Sequence, residues 1–145
     1  MVMAEENRRE ILVDSLTGSQ REAILYDKGP LLIVAGPGAG KTDTIVRRTA
    51  YLVAERKVAP EQILVTTFTN KAAEELYDRL WSFLGSEAHR VHISTIHSFC
   101  NTLLSEYPDA HPWGGGYQIL DEQEQFLFVY AHLRDLRLHR FPKGK

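Results

Sequence analysis

A chain of 145 residues is long enough for one domain with a real core, and its 43% apolar and 25% charged residues are those of a soluble globular protein. Its net charge of −2 excludes a wholesale basic surface, so any contact with nucleic acid must be local, while a single cysteine, Cys100, excludes an internal disulfide and Cys-paired zinc and fits a reducing compartment. No run approaches the ~20 apolar residues of a membrane helix, and the start MVMAEENRRE lacks a signal peptide's layout, so a cytoplasmic protein with no membrane partner is expected.

In chain order, residues Met1 to about Arg9 are polar and predict a frayed end or a short helix. Ile11, Leu12 and Val13 form the first apolar cluster. Ser19 is placed to N-cap a helix through Ala23, Ile24 and Leu25, with Glu22 closing a capping box. Gln20 then falls in the first turn. It reads either as a solvated glutamine or as a base reader, because an amide can pair with both N6 and N7 of adenine.

Lys28, Gly29 and Pro30 predict a turn into the apolar run Leu31 to Ala35, which reads as a buried strand. Gly36, Pro37, Gly38, Ala39 and Gly40 follow, then Lys41 and Thr42, then an amphipathic run. Strand, glycine loop and helix in this order are what a polyphosphate site needs. Backbone N–H groups converge on an anion only where side chains do not intervene, and the next helix aims its N-terminal N–H groups at the same point. Lys41 would reach the β- and γ-phosphates and Thr42 would ligate Mg²⁺. Ala35 stands where the strict pattern has glycine, so the match is to the relaxed form A-x-x-x-x-G-K-T. The plain alternative is a glycine-rich turn with a solvated lysine.

Beyond the loop, Ile45, Val46, Thr49, Leu52 and Val53 recur at helical spacing and predict the buried face, leaving Arg47 and Arg48 on a solvated one. Ile63 to Thr67 reads as a second buried strand. Asn70 is placed to cap a helix with the apolar stripe Ala73, Leu76, Leu80, Phe83 and Leu84, Trp81 beside it, and Gly85 ending it. Phe68 sits in the loop at the carboxyl end of the strand, where open α/β sheets place ligand contacts. An aromatic ring among Thr67, Thr69, Asn70 and Lys71 either stacks on an unpaired base or packs in the core.

Val91, Ile93 and Thr95 alternate with polar residues and predict a third strand, running into a helix with Phe99, Leu103 and Leu104 inward. His97 and Ser98 occupy that strand-to-helix loop. They read as a structural pair or as phosphate donors. The spacing His92, His97, Cys100 lacks a fourth ligand and is not a zinc pattern. Pro108, Pro112 and Gly114 to Gly116 mark a boundary. Tyr117, Ile119 and Leu120 predict a short strand, and Asp121 with Glu124 a capping box for a last helix with Phe126, Val129, Tyr130, Leu133 and Leu136 on one face. The tail through Arg137, Arg140, Lys143 and Lys145 reads as solvated.

Four segments therefore occur in one order: LTGSQREAI, AGPGAGKT, TTFTNKAAEEL and STIHSFC. This resembles the UvrD/Rep/PcrA and RecB/AddA group of superfamily 1 DNA helicases, in which they are the Q motif and motifs I, Ia and Ib. The resemblance covers about Leu16 to Leu104. It implies an α/β, RecA-like P-loop NTPase domain, a parallel sheet flanked by helices, incomplete at the C-terminus. Residues 1–107 would be ATP-binding domain 1A and residues 108–145 the start of helical subdomain 1B.

The implied activity is ATP-dependent movement along single-stranded DNA with unwinding of duplex junctions, using ATP and Mg²⁺. By position, Gln20 resembles the adenine reader, Lys41 the catalytic phosphate-binding lysine and Thr42 the magnesium ligand, with Ala35 to Gly40 forming the cradle. Thr67, Phe68, Thr69, Asn70 and Lys71, joined by His97 and Ser98, resemble the residues that contact the strand. Asp43 departs from the family, which often has a basic residue there near the adenine. The DEXQD-type carboxylate motif is absent; Asp121-Glu122-Gln123 opens a helix instead. The chain is thus expected to be the N-terminal part of a longer protein, completed by a second RecA-like domain and inactive alone. A different P-loop NTPase, such as a nucleotide kinase or transporter ATPase, and a non-catalytic nucleotide-binding module are the alternatives.

Overall fold

A computed structural model of the chain describes residues 12–13, 15–112, 116–133 and 135. Expectations for residues 1–11, for Trp113 to Gly115 and for the basic tail from 136 onward lie outside them. The chain divides into two compact units, one up to Thr102 and one from Leu103.

In the first unit, α1 (Gly18–Leu25), α2 (Lys41–Ala54), β1 (Leu64–Thr67), α3 (Asn70–Leu84) and β2 (His92–Thr95) lead into α4 (Ile96–Glu106). Strands β1 and β2 pair in parallel, Leu64 opposite His92 and Thr67 opposite Thr95, with α3 as the connection that a parallel pair requires. His92 N–H donating to Ile63 O at 3.1 Å extends the ladder by one step.

Helix α2 lies between α1 and α3. Its Val46, Ala50 and Val53 join Leu12, Val13, Ile24, Leu76, Leu80, Ala88 and Val91 in one core, against which Val65 and Ile93 of the strands pack. Gly85, at φ 58, ends α3 as its sequence predicts. Trp81 is 43% exposed and takes the rim of the core, edge-on to His89 at 4.9 Å.

Several expectations are corrected. Leu31 to Ala35 belongs to no strand: β1 pairs with β2 alone, so this segment has no ladder among the described residues, and Leu32 and Val34 are 86% and 87% exposed. The first helix starts after Thr17, not at Ser19, because Gln20 and not Glu22 closes the box. Thr69, not Asn70, caps α3, its Oγ1 accepting from Ala72 N at 3.2 Å. Ile45 is exposed, and Thr44, Ala50 and Ala54 share the buried face of α2 instead. Helix α4 buries none of its residues fully.

In the second unit Asp121 and Glu124 form the reciprocal capping box that the sequence predicts, at 2.8 and 2.9 Å, and open α5 (Glu122–Ala131). Tyr117 to Leu120 is not a strand. No helix among the described residues is long and apolar enough to cross a membrane.

Candidate nucleotide and nucleic-acid sites

The glycine loop gets its shape from two left-handed residues, Gly38 at φ 73 and Gly40 at φ 76. An L side chain is strained there, and alternation of such residues with ordinary ones turns successive N–H groups to the same side. Gly40 is the N-cap of α2, and Thr44 N–H and Oγ1–H both donate to its carbonyl, at 2.9 and 3.0 Å. The N–H groups of Lys41, Thr42 and Asp43 precede that first helical bond and have no intrahelical acceptor to reach. Lys41 folds back over it, Nζ donating to Ala35 O at 2.9 Å and Gly36 O at 2.7 Å. An ammonium on two neutral carbonyls is weakly matched, and an anionic phosphate oxygen is the stronger acceptor for it. Thr42 is exposed at the second position of α2.

Gln20 reaches this loop from α1. Its Oε1 accepts from Thr17 Oγ1 at 2.9 Å and from Thr17 N at 3.4 Å, while Nε2 donates to Ala39 O at 3.4 Å. The amide thus links the start of α1 to the loop. Gly40 is held close beneath it: a Cβ there would stand 2.8 Å from Gln20 Nε2.

Asp43 and Arg47, one turn apart on α2, pair at 2.7 Å, and the Arg47 guanidinium lies 5.4 Å from the Phe83 ring centroid. The acid near the helix start also suits the helix dipole. Arg47 and Arg48 are both partly buried, so neither lies on the solvated face expected for them. The pattern of apolar residues locates a core face but says nothing about what a long basic side chain at its margin will reach.

The second group of candidates sits at the carboxyl end of the parallel pair. Thr67 and Thr95 are opposite one another in the register, so the Phe68 loop and the start of α4 leave the same sheet edge. Thr67 Oγ1 donates to Thr69 O at 2.8 Å, and Thr69 Oγ1 is occupied by the helix cap. Both threonines are thereby turned inward to the backbone, and Phe68 between them projects, 90% exposed. Asn70 and Lys71 are exposed beside it, as is His97 across the edge. Ser98 Oγ shares a hydrogen bond with Thr95 Oγ1 at 2.8 Å, and Ser98 N donates to the same oxygen at 3.1 Å, so Thr95 caps α4. Helix α1, the glycine loop and the start of α2 carry the first group of candidates; the end of β1, the loop after it and the starts of α3 and α4 carry the second.

Two groups matter that sequence reasoning missed. Thr17 fixes Gln20, a role that the pattern T-x-x-Q makes findable. Arg48 binds α1 through backbone carbonyls far away in sequence, for which no local signal exists.

A glycine loop opening a helix, together with a parallel strand pair joined through a helix, defines the class: a parallel α/β protein. The UvrD/REP helicase N-terminal domain family matches residues 16–143, and the chain belongs to that family. It is 42% identical over 127 residues to the ATP-dependent DNA helicase PcrA of Bacillus subtilis, covering 88% of this chain and 17% of that protein. It is 48% identical over 93 residues to the ATP-dependent DNA helicase UvrD1 of Mycobacterium bovis, covering 64% of this chain and 12% of the relative. Similarity to PcrA of Staphylococcus epidermidis is 41% over 114 residues, 79% of this chain and 16% of the relative. The chain thus spans less than a fifth of the length of these relatives.

Proposed function

We propose that this chain is the ATP-binding N-terminal part of an ATP-dependent DNA helicase that moves on single-stranded DNA and opens duplex at junctions. Residues 1–107 would form a RecA-like domain 1A, and residues 108–145 the start of subdomain 1B. Backbone groups from Ala35 to Gly40 would cradle the triphosphate, Lys41 would exchange its two carbonyls for β- and γ-phosphate oxygens, and Gln20 would read the adenine edge. Thr42 would give one oxygen to Mg²⁺. The described residues hold no group of His, Cys, Asp or Glu able to bind a metal by themselves, so the ion would arrive with the nucleotide. Phosphoryl transfer also requires an acid that orients water and an arginine that neutralises developing charge, both from the remainder of the polypeptide.

The observation that carries the DNA half of this reading is the Phe68 ring, 90% exposed between two threonines that are tied to backbone. A phenylalanine face open to water is available to stack on an unpaired base. Thr67, Thr69, Asn70 and Lys71 from the same β1-to-α3 junction, with His97 and Ser98 from the start of α4, would position the strand, the polar and basic side chains through phosphate contacts. Anisotropy of a labelled oligothymidylate tests this. Phe68→Ala should weaken binding about 5- to 150-fold, the equivalent of ~1–3 kcal/mol per stacked base. Unaltered affinity would remove the stacking role.

A further inference from the structure

Arg48 follows the phosphate loop along α2, and its Nη1 donates to Ala23 O at 2.8 Å and Ile24 O at 3.0 Å. Those carbonyls lie in the last turn of α1, where backbone acceptors lack helical partners and the dipole favours a cation. Helix α1 itself has no basic residue in that turn and is only 8 residues long. A helix so short is not stable by itself, and its position depends on what docks it. At its other end the docking group is Gln20, held by Thr17 and donating to Ala39 O. Two side-chain ties thus join α1 to the loop and helix of the phosphate site, a guanidinium from α2 at its tail and an amide from α1 at its head.

We propose that Arg48 is a positioning residue for base recognition. By fixing the end of α1 against α2 it sets where the Gln20 amide stands relative to the loop. The inference rests on the reading of Gln20 as the adenine-facing group. Both of these Arg48 bonds go to carbonyls of α1, so its loss should separate recognition of the base from recognition of the phosphates.

Calorimetric titration of the full chain with ATP and with inorganic tripolyphosphate, which has no base, reads this separation directly. For Arg48→Met, which keeps the apolar stem, the preference for ATP over tripolyphosphate should fall about five- to tenfold, the scale of one ordinary hydrogen bond between the Gln20 amide and the base. Its affinity for tripolyphosphate should stay within about twofold of wild type, and in a Gln20→Ala background the same change should have almost no further effect on the preference. Equal weakening of both ligands, an unchanged preference, or additivity with Gln20→Ala would overturn the proposal. If Arg48→Met does not fold, Arg48→Lys decides: both bonds come from Nη1, and the lysine ammonium ends one bond short of it, so the preference should fall about two- to threefold, and an unchanged preference overturns the proposal. Lys41→Ala is the separate control. If it alters binding of neither ligand, the nucleotide reading of the loop fails and not only the role of Arg48.

Discussion

Gly40→Ala puts a single methyl group at the most constrained point of the candidate site. The residue sits at φ 76, ψ 22, and an added Cβ would lie 2.8 Å from Gln20 Nε2. Left-handed backbone costs an L residue about 1–2 kcal/mol. The collision is cheaper, since Nε2 is the tip of a flexible side chain that can swing away at the loss of one long hydrogen bond to Ala39. For a chain of this size the sum corresponds to a melting temperature lower by about 4–8 °C. Gly36→Ala is the matched control, because a Cβ there meets nothing within 4 Å and its φ is not positive. Thermal melts followed by circular dichroism should therefore separate the two variants clearly. In a Gln20→Ala background the Gly40→Ala penalty should persist nearly whole, as the backbone strain remains. A Gly40→Ala protein that melts with wild type, or together with Gly36→Ala, would refute this account of the loop.

Three further outcomes follow from the same geometry. Lys41→Ala should melt near wild type, since the ammonium it removes bonds only exposed carbonyls, yet lose at least about tenfold in affinity for a non-hydrolysable ATP analogue by calorimetry. Glu61 and Arg90 pair at 2.5 Å, joining the turn before β1 to the turn before β2, and hydrogen bonds from backbone and then from Arg90 hold the Glu61 carboxyl below its usual range. A carboxylate lowered in the folded state stabilises above its unfolded pKa and stops doing so as pH falls through the folded one. Glu61→Gln should accordingly lower the melting temperature slightly at neutral pH and not in acid; equal melting of both proteins at neutral pH and low salt would show the pair to be inert. Finally, the 145-residue chain alone should hydrolyse ATP little with or without DNA in a phosphate-release assay, and robust DNA-stimulated turnover would contradict the assignment of the acid and arginine to other parts of the polypeptide.

How much of this was legible in the residues follows from where each contact's partner lies. The glycine loop before α2 was readable because its signals are local: glycines at fixed offsets, then Lys41, then a helix. So were β1 and β2 from their β-branched runs, Gly85 as a stop and the Asp121–Glu124 box. The cap of α1 was ambiguous, because T-G-S-Q and S-Q-R-E both satisfy one pattern; Ala39, distant in sequence, holds the amide of Gln20 and favours the first. Leu31 to Ala35 has the apolar run of a buried strand, but a strand exists only through a neighbour, and its residues stand exposed without one among the described residues. Arg48 carried no signal at all, since its two acceptors lie 24 and 25 residues away. Phe68 was the opposite case. Its ring had a stacking and a core reading, and the structure leaves it 90% exposed between two threonines bonded to backbone.

The central claim is that one small α/β unit holds nucleotide at the Lys41 loop and an unpaired base at Phe68. A crystal structure of the protein with a non-hydrolysable ATP analogue and a short oligothymidylate tests both halves at once. The phosphates should lie on the N–H groups that follow Gly38, with Lys41 Nζ turned from Ala35 and Gly36 onto phosphate oxygen, and a thymine should lie flat on the Phe68 ring. Lys41 still bonded to its own loop with the nucleotide elsewhere, or DNA bound on a surface that leaves Phe68 bare, would contradict it.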